Sequence, residues 1–314
     1  MNKDFNKLLP DIVNAMTKNY IDSGLSLGKA GKSLPVRRTI FEILDDLRKL
    51  MFPGFFNTEL IDEANAGYYT GHLIHNLHLK LKKQMALALA YDKEESVSFA
   101  APEIQQQAEE LSCLFFQELP HIQELLLLDV QAAYDGDPAA DSKEQVIFSY
   151  PGLYAVFVYR IAHELYKLNV PFIPRIMTEH AHSKTGIDIN SGATIGKYFF
   201  MDHGTGIVIG ETTIIGDYVK LYQGVTLGAL STRGGQHLSG VKRHPTIGDR
   251  VTIYSNATVL GGETVIGNDC VIGGGAFITS SIPEATRVSV SPPELSLKND
   301  AHKELSATNY VFEI

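Results

Sequence analysis

Cysteine is nearly absent from this sequence: only Cys113 and Cys270 occur in 314 residues. Two thiols cannot build a disulfide framework, so a packed core has to hold the chain together. Long apolar runs are missing too, and none approaches membrane-spanning length. The opening Met1-Asn-Lys-Asp-Phe5 lacks the apolar stretch of a secretory signal, so a cytoplasmic protein is expected. Positive charge is in deficit, with 27 Lys and Arg against 36 Asp and Glu and a net charge of -9. That balance argues against a nucleic-acid coat or a general binder of anionic membranes, and an anionic ligand would need a local basic site. What is present, 44% hydrophobic and 20% charged residues, suits a folded protein of one large or two modest domains.

Glycine is scarce everywhere except in one segment. Nineteen of the 27 glycines lie between Gly186 and Gly275. Glycine allows corners with positive φ at little steric cost, so this segment is expected to turn very often. The chain therefore divides into residues 1–184, 185–285 and a tail, 286–314. The first part reads as helical. Ser33 and Pro35 announce a helix whose apolar stripe is Ile40, Ile43, Leu44 and Leu47, and another stretch begins near Thr58 with Leu73, Leu77 and Leu81. One helix opens at Pro102, a separate one runs from Ile122 to Ala133, and the last two follow Pro151 and Pro171.

The second part repeats. Ile209, Ile215, Leu221 and Leu227 are six apart, as are Ile247, Ile253 and Val259, and then Ile266, Ile272 and Ile278. Six is not the helical period but is a multiple of two, which suits short strands joined by corners. The reading is a parallel β-helix in which each rung of six turns one aliphatic inward and three rungs close a triangular coil. Two interruptions stand out. One accompanies Met201-Asp-His-Gly-Thr-Gly206, and the other is a protruding loop, residues 229–246. Breaks in a regular solenoid are where function concentrates.

Several segments together carry a resemblance. These are Gly186-Ile-Asp-Ile189, Met201-Asp-His-Gly-Thr-Gly-Ile-Val-Ile-Gly-Glu211, Gln223-Gly-Val-Thr-Leu-Gly228 and Lys242-Arg-His-Pro245, with Asp137-Pro-Ala-Ala-Asp141 and Tyr159-Arg-Ile-Ala-His163 upstream. Over roughly residues 125 to 283 the chain resembles the serine acetyltransferases of the hexapeptide-repeat acyltransferase superfamily. The resemblance implies an α+β architecture, an N-terminal all-α domain followed by a left-handed parallel β-helix, with trimers or dimers of trimers and active sites between neighbouring subunits. It implies acetyl transfer from acetyl-coenzyme A to the hydroxyl of L-serine, the first step of cysteine biosynthesis from serine.

That hydroxyl is a poor nucleophile at neutral pH, so a base must take its proton as it attacks the thioester. His203 is the candidate, since an unperturbed imidazole titrates near about pH 6.5 and the adjacent glycines leave room for a substrate. By resemblance Asp188 orients the ring, Asp137 and Asp202 hold the amino and hydroxyl end of serine, and Arg243 with His244 engage its carboxylate. A guanidinium fork matches a carboxylate in a way an ammonium does not. Glu211 also falls in the motif, where a plain corner residue is as good a reading. For coenzyme phosphates the loop offers Arg233, Lys242 and Arg243. By resemblance the pantetheine arm passes Gly228, Ala229, Ser255 and Gly274. Val290-Ser-Pro-Pro-Glu294 stands where the family commonly has Gly-x-Pro-Ala-Lys, the loop is longer than usual, and Ala229 replaces a usual glycine.

A metal-dependent β-helix enzyme would need histidines shared between coil faces. His180 and His182 precede the coils and His237 sits on the loop, so no metal is expected. The remaining alternatives are an acyltransferase for another acceptor and a scaffold that only oligomerises. The tail is polar until Tyr310-Val-Phe-Glu-Ile314. By resemblance a terminal isoleucine carboxylate can enter the active site of cysteine synthase, which makes that enzyme an expected partner through Ile314.

Overall fold

The computed structural model describes residues 4–23, 33–57, 61–93 and 97–291, with two short strands at 297–298 and 304–305. The stretch from Tyr310 to Ile314, on which the partner expectation rests, lies outside the described residues. Among the described residues seven helices come first: α1 (Phe5–Asp22), α2 (Arg37–Met51), α3 (Ala66–Asp92), α4 (Pro102–Gly136), α5 (Lys143–Ser149), α6 (Pro151–Lys167) and α7 (Ile173–Thr185). Helix α2 buries the expected stripe of Ile40, Ile43, Leu44 and Leu47, extended by Met51. Nothing in the sequence pattern announces α1, which carries Pro10 inside it and buries no residue.

Two helices expected on either side of Pro120 are in fact one. Helix α4 runs 35 residues through the proline, because the buried stripe of Phe115, Leu119, Ile122, Leu126 and Val130 continues in phase across it. A proline inside a helix removes one hydrogen bond and costs about 3 kcal/mol. Each fully buried aliphatic of that stripe returns about 1.5–3 kcal/mol, so the continuous rod wins. Helix α6 is buried on nearly every side and closes the first coil of the solenoid. The Tyr159 hydroxyl donates to the Ala193 carbonyl at 2.6 Å, and His163 Nδ1 donates to the Ser191 carbonyl at 2.8 Å. Between them Arg160 donates to Gly196 and, in a two-point pair, to Asp129 of α4 at 2.6 and 2.9 Å. The side chains of this pair are only 3% and 2% exposed. Against the desolvation of burial, the Asp129 carboxylate holds the guanidinium above its ordinary value.

Helix α7 ends at Thr185 on Gly186, in the left-handed conformation at φ 71°. From there the chain winds as a parallel solenoid with three faces, two of five strands and one of four. The register stacks Ile189, Ile209, Leu227, Val259 and Ile278 in one column. A second holds Ile195, Ile215, Ile247 and Ile266, and a third Met201, Leu221, Ile253, Ile272 and Val288. The inward aliphatics of the period-six reading thus fill the column, with a further coil, from Ile189 through Ile195 to Met201, before them. Val259 and Ile266 are seven apart, and the extra residue is taken up at Gly261, φ 105°. One corner is turned by non-glycine residues in the left-handed region, Tyr198, Tyr218, Arg250 and Asp269. Arg250 and Asp269 join in a two-point pair there at 2.7 Å.

Candidate active site

After the strand Phe200–Asp202 the chain turns through His203, φ 57°, Gly204, φ 81°, and Gly206, φ 82°. This turn lifts the imidazole off the coil, and its side chain is 75% exposed, with Nε2 lying 3.7 Å from Oδ1 of Asp202. A second carboxylate reaches the same corner from the helical part. Asp137, at the C-terminal end of α4, accepts the Ala139 N–H on Oδ1 at 2.8 Å and the Tyr150 hydroxyl on Oδ2 at 2.6 Å. Those two donors, Tyr150 first, hold its carboxyl below the ordinary range, and His203 and Lys220 act in the same direction. Tyr150 is pushed up to about 12 by burial and by the carboxylates of Asp137, Asp202 and Asp141. Two carboxylates beside an exposed imidazole give this corner a chemistry suited to a cationic group. Asp188 lies one coil earlier on the adjoining strand, where its N–H donates to Ile207. Its side chain makes no ion pair or hydrogen bond with His203 in the chain, and Asp202 is the nearer carboxylate.

The rest of the expected site is at the other end of the strand Val208–Ile209. Arg243 donates to Glu211 through Nη2 and to the Leu238 carbonyl through Nη1 at 3.1 Å. The His244 ring is 8% exposed and packs on Gly210, where a Cβ would come within 2.0 Å of it. Only glycine fits there. Thr212 N–H donates to His244 Nδ1 at 3.1 Å, which leaves the ring proton on Nε2. Burial, then the neighbouring Arg243, drive His244 down to about 4, so it is neutral near pH 7. The strand Val208–Ile209 separates the corner of His203 from the corner of Arg243, so the two groups stand at opposite ends of one face.

The expected coenzyme residues divide between the same two corners. Ser255 and Gly274 stack on the side of His203, the Gly275 N–H donating to Ser255 at 2.9 Å. Gly228 and Ala229 lead into the loop beside Arg243. Of the three loop cations expected to meet phosphates, Lys242 is otherwise engaged: its ammonium donates to the carbonyls of Thr212, His244 and Pro245. Arg243 is tied to Glu211, and Arg233 alone of the three has no side-chain partner among the described residues. Sequence reasoning passed over Tyr150, Lys220 and Gln223. The Gln223 Oε1 atom is buried without a hydrogen-bond partner on the corner column of His203, and its motif placed it there, whereas Tyr150 gave no signal beyond preceding a helix-opening proline. Among the described residues no group of three or more His, Cys, Asp or Glu is placed to hold a metal ion. No helix there is long and apolar enough to cross a membrane.

No family model matches the sequence. Individual proteins do. The plasmid serine acetyltransferase of Synechococcus elongatus is 44% identical over 230 residues, 71% of either chain. The chain belongs to the serine acetyltransferase family. The serine acetyltransferase of Synechocystis is 48% identical over 128 residues, 41% of this chain and 49% of that one. Two crystal structures of family members from Entamoeba histolytica superpose along most of the chain. Serine acetyltransferase 1 in complex with L-cysteine does so with a TM-score of 0.69 and 36% identity over 82% of this chain and 88% of its own. Isoform 3 in complex with cysteine gives 0.70 and 33% identity over 94% and 97%. The helical part is thus shared with these serine acetyltransferases as well as the solenoid, and the chain is an acyltransferase of this family.

Proposed function

We propose that the protein transfers the acetyl group of acetyl-coenzyme A to the hydroxyl of L-serine, with His203 as general base. The observation that carries this reading is the corner that sets an exposed imidazole beside Asp137 and Asp202. The two carboxylates receive the ammonium of serine and so bring its hydroxyl to the ring. His203 takes the hydroxyl proton as the oxygen attacks the thioester carbonyl, and a tetrahedral oxyanion forms. Its collapse expels the coenzyme thiolate, which recovers the proton from the imidazolium, leaving O-acetyl-L-serine and free coenzyme A. Asp188, on the neighbouring coil of the same corner, is the carboxylate toward which the exposed ring turns when serine occupies Asp202.

The acceptor's carboxylate falls to Arg243, whose fork suits it. Arg243 and His203 stand at opposite ends of one face, and we place the complete site between two copies of the chain. The corner of His203 comes from one copy and the corner of Arg243 and His244 from the next, as in a trimer. The coenzyme arm then lies between Ser255 and Gly274 of one copy and Gly228 and Ala229 of the other, with Arg233 free to meet a phosphate. Partnership with cysteine synthase through Ile314 stays a separate proposal, supported by the terminal isoleucine alone.

Acetyl-coenzyme A consumption measured with a panel of hydroxyl acceptors tests the reading. L-serine should be used at least an order of magnitude better than threonine, homoserine or a sugar. Equal use of a sugar would assign the corner to another acceptor, and no consumption with L-serine would overturn the reading.

A further inference from the structure

Asp137 is clamped from two sides. From the helical part, Tyr150 donates its hydroxyl to Oδ2 at 2.6 Å. From the solenoid, Lys220 donates its ammonium to the carbonyl of Gly136, the residue just before Asp137. Tyr150 is itself rooted at the junction of α5 and α6: its N–H donates to Val146 at 3.1 Å and its carbonyl accepts from Tyr154 at 3.3 Å. Lys220 is held over the rings of Phe200 and Tyr222, 5.0 and 4.9 Å from their centroids.

An ionised carboxylate offers about four lone-pair directions, two on each oxygen. The Ala139 N–H takes one on Oδ1 and Tyr150 takes one on Oδ2. One direction on each oxygen is left for a ligand. Without the phenol, the carboxylate could rotate toward the Lys220 ammonium, a cation of the chain itself that already acts on it. A carboxylate paired with an internal cation is a poor receptor for an external one.

We propose that Tyr150 is a positioning residue of the acceptor site: its hydroxyl locks the Asp137 carboxylate in the orientation that receives the ammonium of the amino acid and keeps it from Lys220. This rests on reading Asp137 as the ammonium receptor. The device selects for acceptors that carry an amino group and does nothing for those that lack one.

The test is steady-state kinetics on the full-length enzyme and three variants, Tyr150→Phe, Asp137→Asn and the double variant. Tyr150→Phe keeps the ring and its packing, so the melting temperature should hold. It should raise the KM for L-serine roughly tenfold, the size expected for one hydrogen bond to a charged group, while kcat and the KM for acetyl-coenzyme A stay within about twofold. With 3-hydroxypropanoate, the acceptor without its amino group, Tyr150→Phe and wild type should be equal. In the Asp137→Asn background, Tyr150→Phe should add nothing further. An unchanged serine KM in Tyr150→Phe alongside a damaged Asp137→Asn overturns the proposal and spares the reading beneath it. An undamaged Asp137→Asn overturns that reading. Equal losses with serine and with 3-hydroxypropanoate would reduce Tyr150 to a general packing role.

Discussion

His203 and His244 sit at opposite ends of one solenoid face, and the fold treats them in opposite ways. The first projects from a left-handed turn, three-quarters exposed, with a carboxylate at 3.7 Å. The second is packed on Gly210, accepts an N–H from Thr212, and is driven down to about 4. Burial holds the second neutral near pH 7. The buried one spends its ring on fastening the root of the loop, with Lys242 and Arg243 fastening beside it. An exposed ring and a ring that fastens the root of the loop thus stand at different corners, although each histidine follows a charged residue in the sequence.

The sharpest way to break this contrast is to remove the exposed ring. His203 occupies φ 57°, a region asparagine tolerates better than alanine, so His203→Asn is the cleaner substitution. It should lower acetyl transfer by about 10²-fold to 10⁴-fold with an unchanged melting temperature, whereas near-normal turnover would remove His203 as the base. The division between copies can be sharpened by mixing inactive variants. His203→Asn and Arg243→Ala, each inactive alone, should recover activity when unfolded and refolded together, since about a quarter of the interfaces in a 1:1 trimer mixture carry both intact corners. No recovery would mean that each chain holds its own site.

The seam between helices and solenoid can be compared with the solenoid surface. Asp129→Ala leaves Arg160 buried and unpaired, a change that costs about 3–5 kcal/mol and should show as a large drop in melting temperature. Asp269→Asn, which removes the charge beside exposed Arg250 and keeps a residue suited to the left-handed turn at φ 58°, should leave the melting temperature where it was. The smallest effect concerns pH. His244 is neutral in the fold and titrates near pH 6.5 when unfolded, so the unfolded chain binds more protons between those values and stability falls as pH drops from about 6.5 to about 4. At most about 3 kcal/mol is at stake. Protection factors of the amides in residues 229–246, corrected for the intrinsic pH dependence of exchange, should fall over that interval in wild type and not in His244→Gln.

Much of this was legible in the sequence because a solenoid repeats its demand. Every coil needs an inward aliphatic at the same place, so Ile209 to Leu227 and Ile247 to Ile278 could be aligned without a structure. The first coil was harder to see, since Met201 stands in its column and the eight-residue step to Ile209 hides the continuation. In the helical part the rules that usually mark ends misled. Pro120 signals a break, yet the buried stripe of α4 runs through it, and Pro10 obscured α1 altogether. The exposed histidine was visible as a break in the repeat, but the engagement of Lys242 was not. Its charge is visible in the sequence, while the Thr212 carbonyl that absorbs it lies 30 residues away and comes close only when the coils stack. Tyr150 was missed for the same reason: a hydrogen bond made across 13 residues of turn and short helix leaves no periodic trace.

The protruding loop leaves the coil after Leu227 and returns at Ile247, and both residues are in register with the coils above and below them. Its length is therefore invisible to the column: the rungs on either side meet the same neighbours whatever lies between. Such a site is a graft point. A peptide inserted between Gly234 and Gly235, outside the anchors at Lys242 and His244, should be displayed at the rim of the solenoid with the melting temperature unchanged.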